Sequence, residues 1–214
     1  MTPAGGRESG VQGPYRGKRA FDLAVLAVAA VPGIVVGLAC ATAIRLSGPG
    51  PIFFRQERSG LAGRPFRVWK FRTMQDATPE AGPFPDAERI TRVGRWLRRL
   101  SLDELPQLIN VVQGEMSIIG PRPTLPYQVE RYTPRQRGRL AVRPGVTGLA
   151  QVRGRNAIGW ADRIEIDLEY VARQSPWLDL RIMAWTVGAV VRGSGVEGHP
   201  RDDPIAADPP APQP

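Results

Sequence analysis

The dominant pattern in the chain is an uncharged apolar run, Leu23 to Ile44, of 22 residues. At about 1.5 Å per residue, a helix of that length reaches about 33 Å, enough for a bilayer's hydrocarbon core. Its middle and its flanks change the reading. Pro32-Gly33 lies near the midpoint, where proline removes a helix hydrogen bond and glycine weakens the turn further. Arg16, Lys18 and Arg19 precede the run; Arg45, Arg55, Arg58, Arg64, Arg67, Lys70 and Arg72 follow it. The bias of basic flanks toward the cytoplasm then places both ends on one side. Two arms of about ten residues, about 15 Å each, reach halfway through a core of about 30 Å. The pattern predicts a re-entrant membrane helix over 18–46, broken at Pro32, with a simple span as the competing arrangement. A cleaved signal peptide fits less well, because the run exceeds the usual apolar stretch of about 7–15 residues.

Shorter periods follow. Pro51 to Met74 reads as a hairpin: Pro51-Ile-Phe-Phe-Arg, a turn at Gly60 and Gly63, then the alternating Phe66-Arg-Val-Trp-Lys-Phe-Arg. Residues 75–88 are a Pro/Gly/Asp-rich loop. Thr91 to Leu100 is amphipathic, with Val93, Trp96, Leu97 and Leu100 on one face and Arg92, Arg95, Arg98 and Arg99 around it, a pattern suited to a membrane interface or to a soluble surface helix. Ser101-Leu-Asp-Glu104 matches a capping box that opens a helix through about Val112. A brief strand is expected over Met116 to Ile119, a helix over Pro126 to Leu140 and short strands over 142–153. Two helices, Trp160 to Arg173 and Trp177 to Val191, complete the pattern. The expected architecture is α+β: a re-entrant helix and a small cytoplasmic-face domain, 47–192, of interfacial helices and short hairpins. Residues 1–17 and 193–214 lack apolar period and read as disordered tails.

Composition narrows the chemistry. The chain has 214 residues and a formal charge of +9, and all of its basic side chains except Lys18 and Lys70 are arginines. Arginine is suited to forked recognition of phosphates, so the candidate partners are anionic lipid, nucleic acid or a phosphorylated small molecule. The single cysteine, Cys40, excludes an internal disulfide framework, and the single histidine, His199, leaves no Ser-His-Asp or His-ligated metal chemistry. Catalysis would rest on carboxylates, arginines, lysines and a hard metal ion.

Three features could carry it. Asp103-Glu104 pairs two carboxylates at an expected helix start, where the helix dipole favours ionised acids. An ionised aspartate can attack phosphorus or bind Mg²⁺; on local sequence alone, plain capping is the better explanation of the same residues. Gly120-Pro-Arg-Pro123 is a stiff loop that aims Arg122 at a phosphate, with Lys70 and Arg72 as further candidates. Asp167 lies on an acidic helix face and is a possible second metal-side carboxylate. Together these suit transfer of a phosphorylated group to a lipid.

The ordered motifs carry a resemblance. They are Lys18-Arg-Ala-Phe-Asp22, Pro51-Ile-Phe-Phe-Arg-Gln-Glu-Arg58, Phe66-Arg-Val-Trp-Lys-Phe-Arg-Thr-Met74, Leu102-Asp-Glu-Leu-Pro-Gln-Leu-Ile-Asn-Val111, Gly120-Pro-Arg-Pro123, Arg143-Pro-Gly-Val-Thr-Gly-Leu-Ala-Gln151 and Asp167-Leu-Glu-Tyr-Val171. Over about 18–192 the chain resembles the bacterial sugar transferases, the monotopic phosphoglycosyl transferases, in their minimal form. The resemblance implies transfer of a sugar-1-phosphate from a UDP-sugar to polyprenyl (undecaprenyl) phosphate at the cytoplasmic membrane, with release of UMP. It makes Asp103 the nucleophile, forming a covalent phosphosugar. Glu104 becomes its assistant, positioning or deprotonating the acceptor. Mg²⁺ bridges Asp103 and the diphosphate, and Arg122 binds phosphate. Where that family often has serine before the helix-breaking proline, this chain has Val31. A non-catalytic basic peripheral-membrane protein would share the apolar run and the arginines without needing Asp103-Glu104. A nucleic-acid binder would share only the charge, and no nucleic-acid motif is present.

Overall fold

The computed structural model describes residues 13–75, 89–154 and 158–191. The C-terminal tail, most of the N-terminal tail and nearly all of the 75–88 loop lie outside them.

Helix α1, Lys18–Leu46, runs without interruption through Pro32, so the break expected there does not divide it into two helices. The ring's fixed φ is compatible with a helix; what is lost is one hydrogen bond. Lys18, Asp22, Leu26, Ala29, Gly33, Gly37, Cys40 and Ile44 form a stripe that is buried or half-buried, at spacings of three and four. That stripe lies against the rest of the chain for the whole helix. At one end Leu26 joins the main core with Phe66, Val68, Met116, Ile118 and Tyr170. At the other, Cys40 and Ile44 pack on Phe71 and Leu97. Between them, Gly33 and Gly37 face the side chains of Leu108 and Leu105. The opposite side is bare: Val28 is 82% exposed, Val31 73% and Leu38 65%. Apolar surface on this scale is not left to water, and the chain is a membrane protein.

The N-terminal end of α1 is also locked by polar contacts. Lys18 Nζ sits 2.8 Å from Asp22 and 3.0 Å from Asp179, and Tyr15 donates to Asp179 at 2.9 Å. Asp22 accepts from the Ser117 hydroxyl and the Ile118 amide. Residues 13–17, read from sequence as tail, therefore include one anchored side chain.

Strands β1 (Phe53–Ser59) and β2 (Pro65–Phe71) form the expected antiparallel hairpin, with Phe54 opposite Lys70 and Arg58 opposite Phe66. Helix α2, Arg92–Arg99, is capped by Thr91, whose hydroxyl accepts from Gly94 N at 2.8 Å. Its Leu97 is buried while Trp96 stays 67% exposed. Helix α3 spans Gln107–Gln113. Strand β3, Ser117–Ile119, pairs in parallel with β4, Gly145–Thr147. Helix α4, Pro126–Glu130, is followed by a 3-10 turn over Gln136–Ala141, so the single helix expected there is interrupted near Pro134. The strand expected past Gly148 is instead helix α5, Leu149–Arg153. Helices α6, Trp160–Arg173, and α7, Pro176–Val191, match the periodicity. Helix α7 adds Trp177, Leu180 and Val187 to the exposed apolar surface.

Candidate active site

Asp103 and Glu104 do not begin an α-helix. Ser101 takes a left-handed conformation at φ 55° and its side chain caps nothing, so the expected capping box is not formed. Leu102–Glu104 is a single 3-10 turn. Pro106, which has no N–H to donate, stands between that turn and α3. The two carboxylates are thus set apart by their neighbours and not by a helix dipole.

Glu104 is gripped. Arg122 approaches it in a fork, with Nη1 3.2 Å from Oε2 and Nη2 2.6 Å from Oε1, and Lys70 Nζ is 2.8 Å from Oε1. Burial pushes the Glu104 carboxyl up, but the two cations outweigh it and hold the group well below the usual carboxylate range. Asp103 has no ion-pair partner among the described residues. Burial, and then the charge of Glu104, raise its carboxyl above the ordinary value, while Lys70, Arg122 and Arg98 pull the other way. The two adjacent carboxylates therefore shift in opposite directions, Glu104 down against its two cations and Asp103 up through burial and the charge of Glu104.

Both face a cavity of about 900 Å³. Phe54, Gln56, Arg58 and Lys70 of the hairpin line it, with Arg72, Arg98 and Arg122. Val25 and Ala29 of α1 form part of its wall, so the cavity opens beside the membrane helix. Val146, Thr147, Gln151 and Thr186 also line it, as does Arg163. Arg72 lines the cavity, but its guanidinium is spent on the carbonyls of Gly48 and Pro49.

The loop carrying Arg122 is rigid for reasons beyond its prolines. Gly120 N donates to Thr147 O and Gly145 N to Pro121 O, both at 2.9 Å, which crosses two loops at van der Waals contact. A Cβ on Gly145 would stand 2.1 Å from Gly120 N, so no side chain fits there. Lys70 is aligned by its neighbour: Asn110, buried on α3, accepts from Trp69 N at 3.0 Å and donates to Arg67 O at 2.9 Å.

Asp167 is not brought to the cavity. It is buried at 1% exposure and paired with Arg139, whose Nη2 also donates to the backbone oxygen of Arg122 at 3.0 Å. A carboxylate spent on a buried guanidinium is a loop support, not a metal-side ligand. Among the described residues no group of three metal-binding side chains occurs. Sequence reading also missed Arg58, Asn110 and Arg139. For Arg58 a signal existed: the hairpin register puts residues 54, 56 and 58 on one face with Lys70.

The family model for bacterial sugar transferases matches residues 14–193. The chain is 44% identical over 181 residues to the sugar transferase EpsL of Bacillus subtilis, covering 84% of this chain and 90% of that one. It is 41% identical over 187 residues to the UDP-glucose:undecaprenyl-phosphate glucose-1-phosphate transferase of Caulobacter vibrioides, covering 81% and 69%. To the Escherichia coli protein of the same name it is 45% identical over 185 residues, 79% of this chain but 39% of that longer one. With a match that takes in α1, the hairpin, the Asp103-Glu104 turn and the Arg122 loop together, the chain belongs to the bacterial sugar transferase family and is an enzyme of that class.

Proposed function

We propose that this enzyme transfers a sugar-1-phosphate from a UDP-sugar to polyprenyl phosphate through a phosphosugar ester on Asp103. The observation that carries this reading is the Asp103 carboxylate, without an ion-pair partner among the described residues, beside a clamped Glu104 in a cation-lined cavity walled by the membrane helix. The names of the relatives, which specify UDP-glucose and undecaprenyl phosphate, supply the substrate class.

In the first step Asp103 Oδ forms a bond to the β-phosphorus as the bond from that phosphorus to the bridging oxygen breaks; UMP leaves with the bridging oxygen. In the second, a phosphate oxygen of the polyprenyl phosphate attacks the same phosphorus and Asp103 is released as a carboxylate. Lys70 and Arg122 offset the phosphate charge. Glu104 keeps Arg122 and Lys70 aligned and lies next to the acceptor's path. The donor set fits Mg²⁺ in one way: a single free carboxylate, Asp103, completed by substrate phosphates, which is how that ion is commonly held. Bound there, Mg²⁺ would screen the repulsion between the carboxylate and the diphosphate.

The acceptor's setting favours a monotopic arrangement on the cytoplasmic face of the membrane. Both ends of α1 pack on the same body, whereas a span would carry them apart. The test of the chemistry is UDP-glucose with enzyme and no lipid. A ping-pong course releases about one equivalent of UMP and leaves one phosphosugar on the peptide holding Asp103. Active enzyme that forms no adduct and releases UMP only with lipid would replace this reading with direct attack by the polyprenyl phosphate.

A further inference from the structure

Among the side chains that line the cavity, the charges do not balance. The single charge of Glu104 is shared by Lys70 and Arg122. Arg58 stands beside them without a carboxylate of its own among the described residues. Its Nη2 donates to Gln56 Oε1 at 2.5 Å and its Nη1 to the Pro123 carbonyl at 3.4 Å, both neutral acceptors. Burial, and then the neighbouring Arg122 charge, lower its guanidinium to about 10, still cationic at neutral pH. A half-buried cation crowded by another is in its best state only when an anion completes the set. Two of its five donors hold it in place, leaving the others for a ligand.

We propose that Arg58, oriented by Gln56, is the first anchor for a phosphate group in this cavity, and takes it while Lys70 and Arg122 still hold Glu104. The assignment rests on the transferase reading for the source of the phosphate, which is either the donor's diphosphate or the head of the acceptor lipid. The chemistry recognised is the same: a tetrahedral anion whose paired oxygens match a planar fork. The bond to Pro123 ties Arg58 to the loop of Arg122, so an anion held by Arg58 lies beside that loop.

The test uses the full chain in detergent, titrated calorimetrically with pyrophosphate in the absence of divalent metal. Arg58→Gln should weaken binding at least tenfold, and Arg58→Lys should recover part of it. Gln56→Glu gives Arg58 a carboxylate partner in place and should weaken binding to a similar degree; it also serves where Arg58→Gln does not fold. Steady-state KM values then assign the source. A rise confined to UDP-glucose means the donor diphosphate, and one confined to undecaprenyl phosphate means the acceptor. Pyrophosphate affinity within twofold of wild type in both Arg58→Gln and Gln56→Glu overturns the assignment. Wild-type enzyme that binds pyrophosphate and loses it on these substitutions, yet releases no UMP from any of a panel of UDP-sugars with undecaprenyl phosphate present, supports the anion anchor while removing the proposed UDP-sugar reaction.

Discussion

Arg139 donates from Nη2 to the backbone oxygen of Arg122 at 3.0 Å, so the loop that clamps Glu104 is held from behind by a side chain outside the cavity. Arg139 is 2% exposed and its charge is met by Asp167. Breaking a buried pair by removing one partner costs about 3–5 kcal/mol. Asp167→Ala should therefore lower Tm by on the order of ten degrees, at roughly 2–4 °C per kcal/mol for a domain this size. The double variant Arg139→Met, Asp167→Leu should regain more than half of that loss. If Asp167→Ala melts like wild type but needs more Mg²⁺, Asp167 is a metal-side ligand after all.

The fork of Arg122 on Glu104 gives a second expectation. Lysine keeps the charge but makes a single contact where arginine makes two, at 3.2 and 2.6 Å. A charge-assisted hydrogen bond contributes about 1.5–3 kcal/mol. Arg122→Lys should lose roughly tenfold to a hundredfold in kcat/KM while melting close to wild type. Full activity in this variant would remove the bidentate argument.

The two carboxylates should also separate in pH behaviour. Asp103 is raised by burial and by Glu104, so this carboxyl, the proposed nucleophile, still carries a proton at pH values where an ordinary aspartate, near about 3.9, has lost it. The acid limb of kcat/KM for the donor should lie above that value. Lys70 pulls Asp103 down, and Lys70→Met should move the limb to higher pH; a limb that moves the other way contradicts the assignment. Linkage fixes the stability signs. The raised Asp103 loses stability as pH rises from its unfolded to its folded value, so Asp103→Asn should raise Tm at neutral pH. The depressed Glu104 contributes stability above its unfolded value that is lost as pH falls, so Glu104→Gln should lower Tm.

Much of this was legible from the residues. The hairpin, the amphipathic 91–100 helix and the 160–173 helix obey simple periods, and burial of one face follows from them. Asp103, Glu104, Arg122 and Lys70 do share one cavity. What was not legible is long-range partnership. Asp167 reads as a solvated or metal-side acid until Arg139, distant in sequence, is seen to fill its site. The capping box at Ser101 fails because Pro106 displaces the helix start, a competition that local matching scores the wrong way. Asn110 looks like an ordinary helix residue, yet it stitches α3 to β2 beside Lys70.

Topology is the remaining prediction. The stripe from Lys18 to Ile44 lies against the same body along its whole length, and Arg16 and Arg64 are both exposed beyond the helix and at the hairpin turn. If α1 enters and leaves the membrane on one side, cysteines placed singly at those two positions, in a Cys40→Ala background, share one compartment. An impermeant thiol reagent outside intact spheroplasts should label neither, and lysis should expose both to it. Labelling of Arg16→Cys alone, or of Arg64→Cys alone, would mean that α1 spans. That result would also require the packing of Leu26 and of Ile44 on one body to open. The continuous helix makes Pro32→Leu the sharper second arm. Restoring the missing hydrogen bond should stiffen α1, and any shift toward one-sided labelling in that variant would show that Pro32 sets the topology.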